Sequence, residues 1–166
     1  MSYKLSFLFI IGILNSCVPK KEVQQEYQLV WSDEFEQENI ELDDTKWFRE
    51  TKAPNNGSWY NDELQHYTDR VENSYVTDGI LKIKAVKEEY THSGTTQAYT
   101  SARLNSKFSF TYGKVVVRAK LPRAQGTWPA IWTLGSNLET VGWPACGELD
   151  IMEQLFENFE MVQCAI

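Results

Sequence analysis

The chain has 166 residues, 42% of them apolar, and a formal net charge of −7. That length supports one domain, the apolar share excludes disorder for the bulk of it, and the acidic balance excludes nucleic acid, whose phosphates need clustered Lys and Arg. Six Trp and eight Tyr offer flat stacking platforms; the acidic balance points them toward uncharged carbohydrate, with core packing as the alternative for part of them.

Lys4 precedes an apolar run from Leu5 to Leu14, too short to span a bilayer and suited to the core of a signal peptide. The run ends in Leu14-Asn-Ser-Cys17, which resembles a bacterial lipobox. Residues 1–17 therefore read as a lipoprotein signal, with Cys17 as the lipidation site anchoring the protein to the membrane of a bacterial envelope, on its periplasmic or cell-surface face. A plain secretory signal and an uncleaved anchor are the alternatives. Residues 18–28 are polar and unpatterned, and read as a tether before a domain over 29–166. With Cys17 lipidated, Cys146 and Cys164 remain; two Cys carry no framework signal, and each reads as a small apolar strand residue.

From Leu29 onward, short β-branched and aromatic runs alternate with Asn, Asp and Gly. The clearest hairpin spans Asn73 to Ala85, with Asp78-Gly79 suited to a type I′ turn. Leu81, Ile83 and Ala85 face inward and Lys82 and Lys84 outward. Ser106 to Tyr112 alternates in the same way, placing Phe108, Phe110 and Tyr112 on one face. After Gly113, a second strand runs from Lys114 to Leu121 and stops at Pro122. No long stretch has helical periodicity. The expected fold is all-β, an antiparallel β-sandwich or jelly roll.

Glu148-Leu-Asp-Ile-Met-Glu153 places three carboxylates within six residues among apolar neighbours, an arrangement that repulsion and burial disfavour. On a regular strand Glu148 and Asp150 share one face and Glu153 falls on the other, among aliphatic groups. One β-bulge near Ile151-Met152 brings all three to one face and turns Leu149 into the core. A helix would splay them to roughly 0°, 200° and 140°. Along the strand the two Glu α-carbons are about 13 Å apart, and inward-leaning side chains bring their carboxyls toward the roughly 5–5.5 Å that a retaining glycosidase uses. Asp150, between them, would hydrogen-bond a neighbouring Glu and help keep one acid charged and the other neutral. A solvated acidic strand and a calcium site are the other readings, and spacing alone leaves all three open.

The hexapeptide resembles the E-x-D-x-x-E signature of glycoside hydrolase family 16 in its laminarinase-like, bulged form. Leu29-Val-Trp-Ser-Asp-Glu-Phe35 resembles the family's opening strand, and Leu42-Asp-Asp-Thr-Lys-Trp47 the segment after it. Asn61-Asp-Glu-Leu-Gln-His-Tyr-Thr68 resembles N-N-E-L-Q-Y-Y-T, Tyr99-Thr-Ser-Ala-Arg-Leu104 resembles Y-T-S-G-R-I, and Gly126-Thr-Trp-Pro-Ala-Ile-Trp132 resembles G-x-W-P-A-F-W. The resemblance implies a concanavalin A-like jelly roll with a glycan cleft, and an endo-acting retaining hydrolase of laminarin-type β-1,3 or mixed β-1,3/1,4 glucan. By position it implies Glu148 as nucleophile, Glu153 as general acid/base and Asp150 as the assisting carboxylate. Asn61, Arg103 and Trp128 match cleft-lining residues, with Trp132 and Trp143 as stacking neighbours. Core packing of Trp128 and Trp132, and an ordinary surface ion pair for Arg103, are the plain alternatives. No cofactor is required for the chemistry; a structural calcium is possible, with Glu34 as one candidate ligand.

The chain departs from the pattern at Asp62, where a second Asn is common, at Ala102, which replaces a Gly, and over Gln154 to Glu160, where the usual loop is absent. Met161 to Ile166 has strand character without a stop signal, so the reading expects a longer frame carrying the rest of the domain, and an unstable or inactive product without it. An algal-galactan hydrolase of the same fold and a non-catalytic glucan-binding module are the rival functions.

Overall fold

A computed structural model describes residues 26–37, 40–55, 57–155 and 161–165. Residues 1–25, with Cys17 and most of the tether, lie outside the described residues, as do residues 156–160 of the loop after Glu153. No described helix is long and apolar enough to cross a membrane.

The regular elements are β1 (Trp47–Arg49), β2 (Gln65–Tyr67), β3 (Ser74–Thr77), β4 (Ile80–Ile83), β5 (Val86–His92), β6 (Thr95–Ser101), β7 (Leu104–Ser106), β8 (Ala130–Leu134), a single helical turn α1 (Leu138–Val141), β9 (Glu148–Glu153) and β10 (Gln163–Ala165). The all-β expectation holds. Strands pair as β1-β7, β2-β6-β5, β3-β4 and β10-β9-β8, antiparallel except for the parallel β2–β6 pair.

The β3–β4 hairpin has the register read from the sequence, with Thr77 opposite Ile80 and a turn in which Asp78 and Gly79 both take left-handed backbone, φ 54° and 69°. Glycine meets that demand without steric penalty. Of the expected inward face, Leu81 is half-buried, but Ile83 and Ala85 are exposed. A second hairpin, β5–β6, turns at Ser93-Gly94 with φ 51° and 82°. The Ser-Gly dipeptide is its only local signal.

Three expected strands are not strands. Residues 29–35, 107–112 and 114–121 belong to no ladder among the described residues. Side-chain alternation marks a face, whereas a strand also needs a hydrogen-bonding neighbour. The face survives in part: Trp31 stacks on Phe108 at 5.9 Å and Phe108 on Phe110 at 6.2 Å, while Tyr112 is exposed. Near the first motif, Asp33 accepts from Trp47 Nε1 at 2.7 Å and pairs with Lys46 at 3.4 Å.

The buried apolar side chains among the described residues are Leu42, Trp59, Val76 and Ala102. Ala102 is buried without positive φ, so the missing glycine leaves no backbone strain there. Beside this core lies a buried polar knot. Asn73, fully buried, accepts from Thr68 Oγ1 and from Arg70 Nη2, and donates to the Lys84 carbonyl and to Thr100 Oγ1. Its satisfied bonds meet the cost of burying so many polar groups. A second apolar region, a cavity of about 450 Å³ behind β8 and β9, is lined by Val115, Val117, Leu121, Ile131, Ile151 and Met152.

Candidate active site

Strand β9 carries the carboxylates and β8 fixes their register. Ala130 lies opposite Glu153 and Ile131 opposite Met152, after which Trp132 lies opposite Asp150 rather than Ile151. Ile151 is the extra residue of a bulge, and β10 registers the same slip, with Gln163 opposite Glu153 and Ala165 opposite Asp150. Through the bulge, Glu148, Asp150 and Glu153 share one face while Ile151 and Met152 line the apolar cavity on the other. Leu149 differs from expectation. It stands on the apolar side by alternation but remains 47% exposed.

Two of the expected cleft tryptophans engage the carboxylates through their indole edges. Trp128 Nε1 donates to Glu153 Oε1 at 3.0 Å, and Trp143 Nε1 donates to Glu148 Oε2 at 3.1 Å. Each Glu thus has its own N–H donor, one from the segment before β8 and one from the loop before β9. Both rings are exposed, Trp128 at 46% and Trp143 at 67%, so neither is a core aromatic. Trp132, half-buried, lies across β8–β9 from Asp150 on the same face.

Arg103 follows β6. Its guanidinium carbon lies 4.8 Å from the Trp132 ring centroid and 5.6 Å from that of Trp59, and its Nε lies 2.8 Å from Glu50 Oε2. The plain alternative, an ion pair, is therefore present, but among aromatic rings rather than on open surface. Asn61 stands apart. It is exposed at a turn where Asn61 and Asp62 both have left-handed backbone, φ 56° and 55°, a conformation that Asn and Asp tolerate better than most residues. Its side chain makes no hydrogen bond to the carboxylates among the described residues.

Three neighbours were missed. Glu63 accepts from the Tyr67 hydroxyl at 2.7 Å and from Gln65 Nε2 at 2.7 Å, and Tyr67 packs edge-on against Trp59 at 4.6 Å. Burial, and then the Glu63 carboxylate, hold the Tyr67 phenol protonated well above its ordinary range. Glu63 and Tyr67 lie inside the Asn61–Thr68 motif, so the motif was the available signal; Glu50 carried none.

Residues 47–165 match the model of the XgeA-like, catalytic GH16 domain. The chain belongs to glycoside hydrolase family 16. Among family relatives, the β-glucanase of Rhodothermus marinus is 40% identical over 164 residues, covering 93% of this chain and 54% of its own length. The crystal structure of LamAcat from Zobellia galactanivorans superposes with a TM-score of 0.79 at 58% identity, covering 82% of this chain and 58% of that one. A variant of the Zobellia enzyme, solved in complex with laminaritriose and laminaritetraose, matches with a TM-score of 0.76 at 52% identity, covering 82% of this chain and 64% of that one. The fold class is the family's antiparallel β-jelly roll, and this chain spans little more than half of the relatives' length.

The three carboxylates call for no cofactor. For calcium, Glu34 is exposed, and among the described residues no group of three or more His, Cys, Asp or Glu is arranged to hold a metal ion. Cys146 and Cys164 are free thiols. Cys146 lies in the turn before β9 rather than in a strand, while Cys164 lies in β10 with Sγ 3.1 Å from the Ile151 carbonyl oxygen.

Proposed function

We propose that this domain is the catalytic part of a retaining endo-β-glucanase that cleaves internal β-1,3, or mixed β-1,3/1,4, glucosidic bonds of laminarin-type polysaccharide. The observation that carries the reading is the bulged strand, which gathers three carboxylates on one face and gives each Glu a separate indole N–H partner. Glu148 attacks the anomeric carbon as the glycosidic C–O bond breaks, and Glu153 gives its proton to the departing oxygen. Glu153 then takes a proton from water as that water displaces Glu148 from the sugar. Asp150, between them, orients the pair electrostatically. Trp132 and Arg103 form the cleft wall beside Asp150, and Asn61 reaches the glycan from the turn before β2.

Relatives named as β-glucanase and a homologous enzyme crystallised with laminari-oligosaccharides support glucan as substrate. The deciding experiment compares reducing-sugar release from laminarin, agarose and carrageenan, with the anomer of the first product followed by NMR. Laminarin cleavage with retention is expected; cleavage of a galactan alone, inversion, or undiminished turnover in Glu148→Ala would refute the assignment. The same proposal places the protein at a bacterial envelope through lipid on Cys17. Radiolabelled palmitate should appear in the wild type and not in Cys17→Ser; an unlabelled wild type would remove the anchor.

A further inference from the structure

We propose that Glu50 is a positioning residue for the cleft: its carboxylate fixes the Arg103 guanidinium against Trp132 and so sets the wall beside Asp150. The substrate side of this inference rests on the glucanase reading above.

Glu50 follows β1 directly, and Arg103 precedes β7, the partner of β1. The Glu50 N–H donates to the Arg103 carbonyl at 2.9 Å, so the two side chains spring from adjoining backbone. Glu50 Oε2 is held from a second side by Asn105 Nδ2 at 2.9 Å. The carboxylate thus stands between one residue of β7 and the arginine just before it.

Arg103 contributes only its inner nitrogen. Nε lies 2.8 Å from Oε2, yet it is buried with no acceptor along its N–H direction. The contact is a charge pair, not an aligned hydrogen bond. The indoles of Trp132 and Trp59 therefore share in setting the plane of the guanidinium, while Glu50 sets how far along the cleft wall it sits. Neither terminal nitrogen of Arg103 donates to a described residue, leaving its outer N–H groups available to a sugar hydroxyl. The side chain is 18% exposed, against 30% for Glu50. A cation held that far from water, once its partner is gone, tends to swing toward solvent and leave the rings.

The structure predicts a binding defect, because Arg103 touches the rings beside the carboxylates and not the carboxylates themselves. In the protein that cleaves laminarin, Glu50→Gln should raise KM about tenfold while kcat stays within about twofold. Glu50→Asp should recover part of the loss. Arg103→Lys should match Glu50→Gln, and the double variant should be little worse than either single one, since both remove the same placement. A readout without substrate is the ¹⁵N-detected exchange of the Arg103 Nε–H, which should quicken at least about tenfold in Glu50→Gln. Should that variant fail to fold, Glu50→Asp is read by the same two measurements. An unchanged KM with unchanged exchange, a fall in kcat at constant KM, or effects that multiply in the double variant would each overturn the proposal. A wild type that binds and cleaves no laminarin but shows the exchange coupling would instead refute the substrate reading and leave the Glu50–Arg103 placement standing.

Discussion

Trp143 donates its indole N–H to Glu148 at 3.1 Å, so this aromatic residue engages the proposed nucleophile through an edge. A carboxylate that must attack a carbon has to present one oxygen and keep the other occupied. The bond to Oε2 does that, leaving Oε1 for the sugar. Replacing Trp143 with Phe keeps the stacking face and deletes the donor. Hydrogen bonds to charged groups contribute about 1.5–3 kcal/mol, and the lower end applies to a ring that is 67% exposed. Trp143→Phe should therefore lower kcat/KM for laminarin roughly tenfold. Steady-state kinetics would check it, and an unchanged kcat/KM would reduce the bond to a packing detail.

Trp128 holds Glu153 in the matching way, at 3.0 Å through Oε1, but in the proposed mechanism the chemistry it supports is proton delivery. Trp128→Phe should therefore be sensitive to the leaving group. With a glucan, whose departing oxygen needs the proton, a loss of roughly tenfold is expected. With a dinitrophenyl β-glycoside, whose phenolate leaves unassisted, bond cleavage should be nearly unaffected. Trp143→Phe should be impaired on both substrates. Equal losses for Trp128→Phe on the two substrates would show that Glu153 is not the acid Trp128 serves.

What was legible in the sequence and what was not divides along a physical line. The bulge could be read because three carboxylates at that spacing cannot share a face on a regular strand, and the Asp78-Gly79 turn because two adjacent left-handed residues have few chemistries. The strands expected over 107–112 and 114–121 could not be tested locally: alternation of Phe108, Phe110 and Tyr112 marks a face, while the ladder depends on a distant partner. The indole edges were illegible for a related reason. Sequence places Trp128 and Trp143 near the carboxylates, yet does not say whether face or N–H points at them. Glu50 lay outside every motif because its partner is met only when β1 pairs with β7.

The polar knot makes a prediction about acid. Glu88 pairs with Arg70 and accepts from Thr100, and these contacts, Arg70 foremost, hold its carboxyl below the ordinary 4.5. A depressed folded value means that the unfolded chain binds the proton more readily, so the stabilisation is complete above about pH 4.5 and fades as pH falls through the folded value. Glu88→Gln deletes that dependence. The urea midpoint of the variant should lie below the wild type's at neutral pH, and the gap should close on going from about pH 5 to about pH 3. A gap that stays constant or widens in acid would mean that Glu88 is not the group being titrated.

Gly135 supplies the last test, because it links backbone packing to the indole of Trp143. After β8 the chain folds back on itself: Gly135 N–H donates to the Gly147 carbonyl at 3.0 Å, and a Cβ at Gly135 would collide with the Cys146 carbonyl oxygen. Backbone oxygen cannot rotate aside as a side chain can, so Gly135→Ala must displace the loop over 142–147. That loop carries Trp143. Overpacking of this kind costs about 1–3 kcal/mol, a stability loss that urea unfolding would register. The activity loss should arise by a separate route, through misplacement of the indole, and should be roughly tenfold in kcat/KM. If so, Gly135→Ala should add little to a chain already carrying Trp143→Phe, since both variants break the same bond. Four proteins decide the matter: wild type, each single variant and the double. Equal fold-losses from Gly135→Ala in the two backgrounds would show that the loop acts on the site by some path other than Trp143.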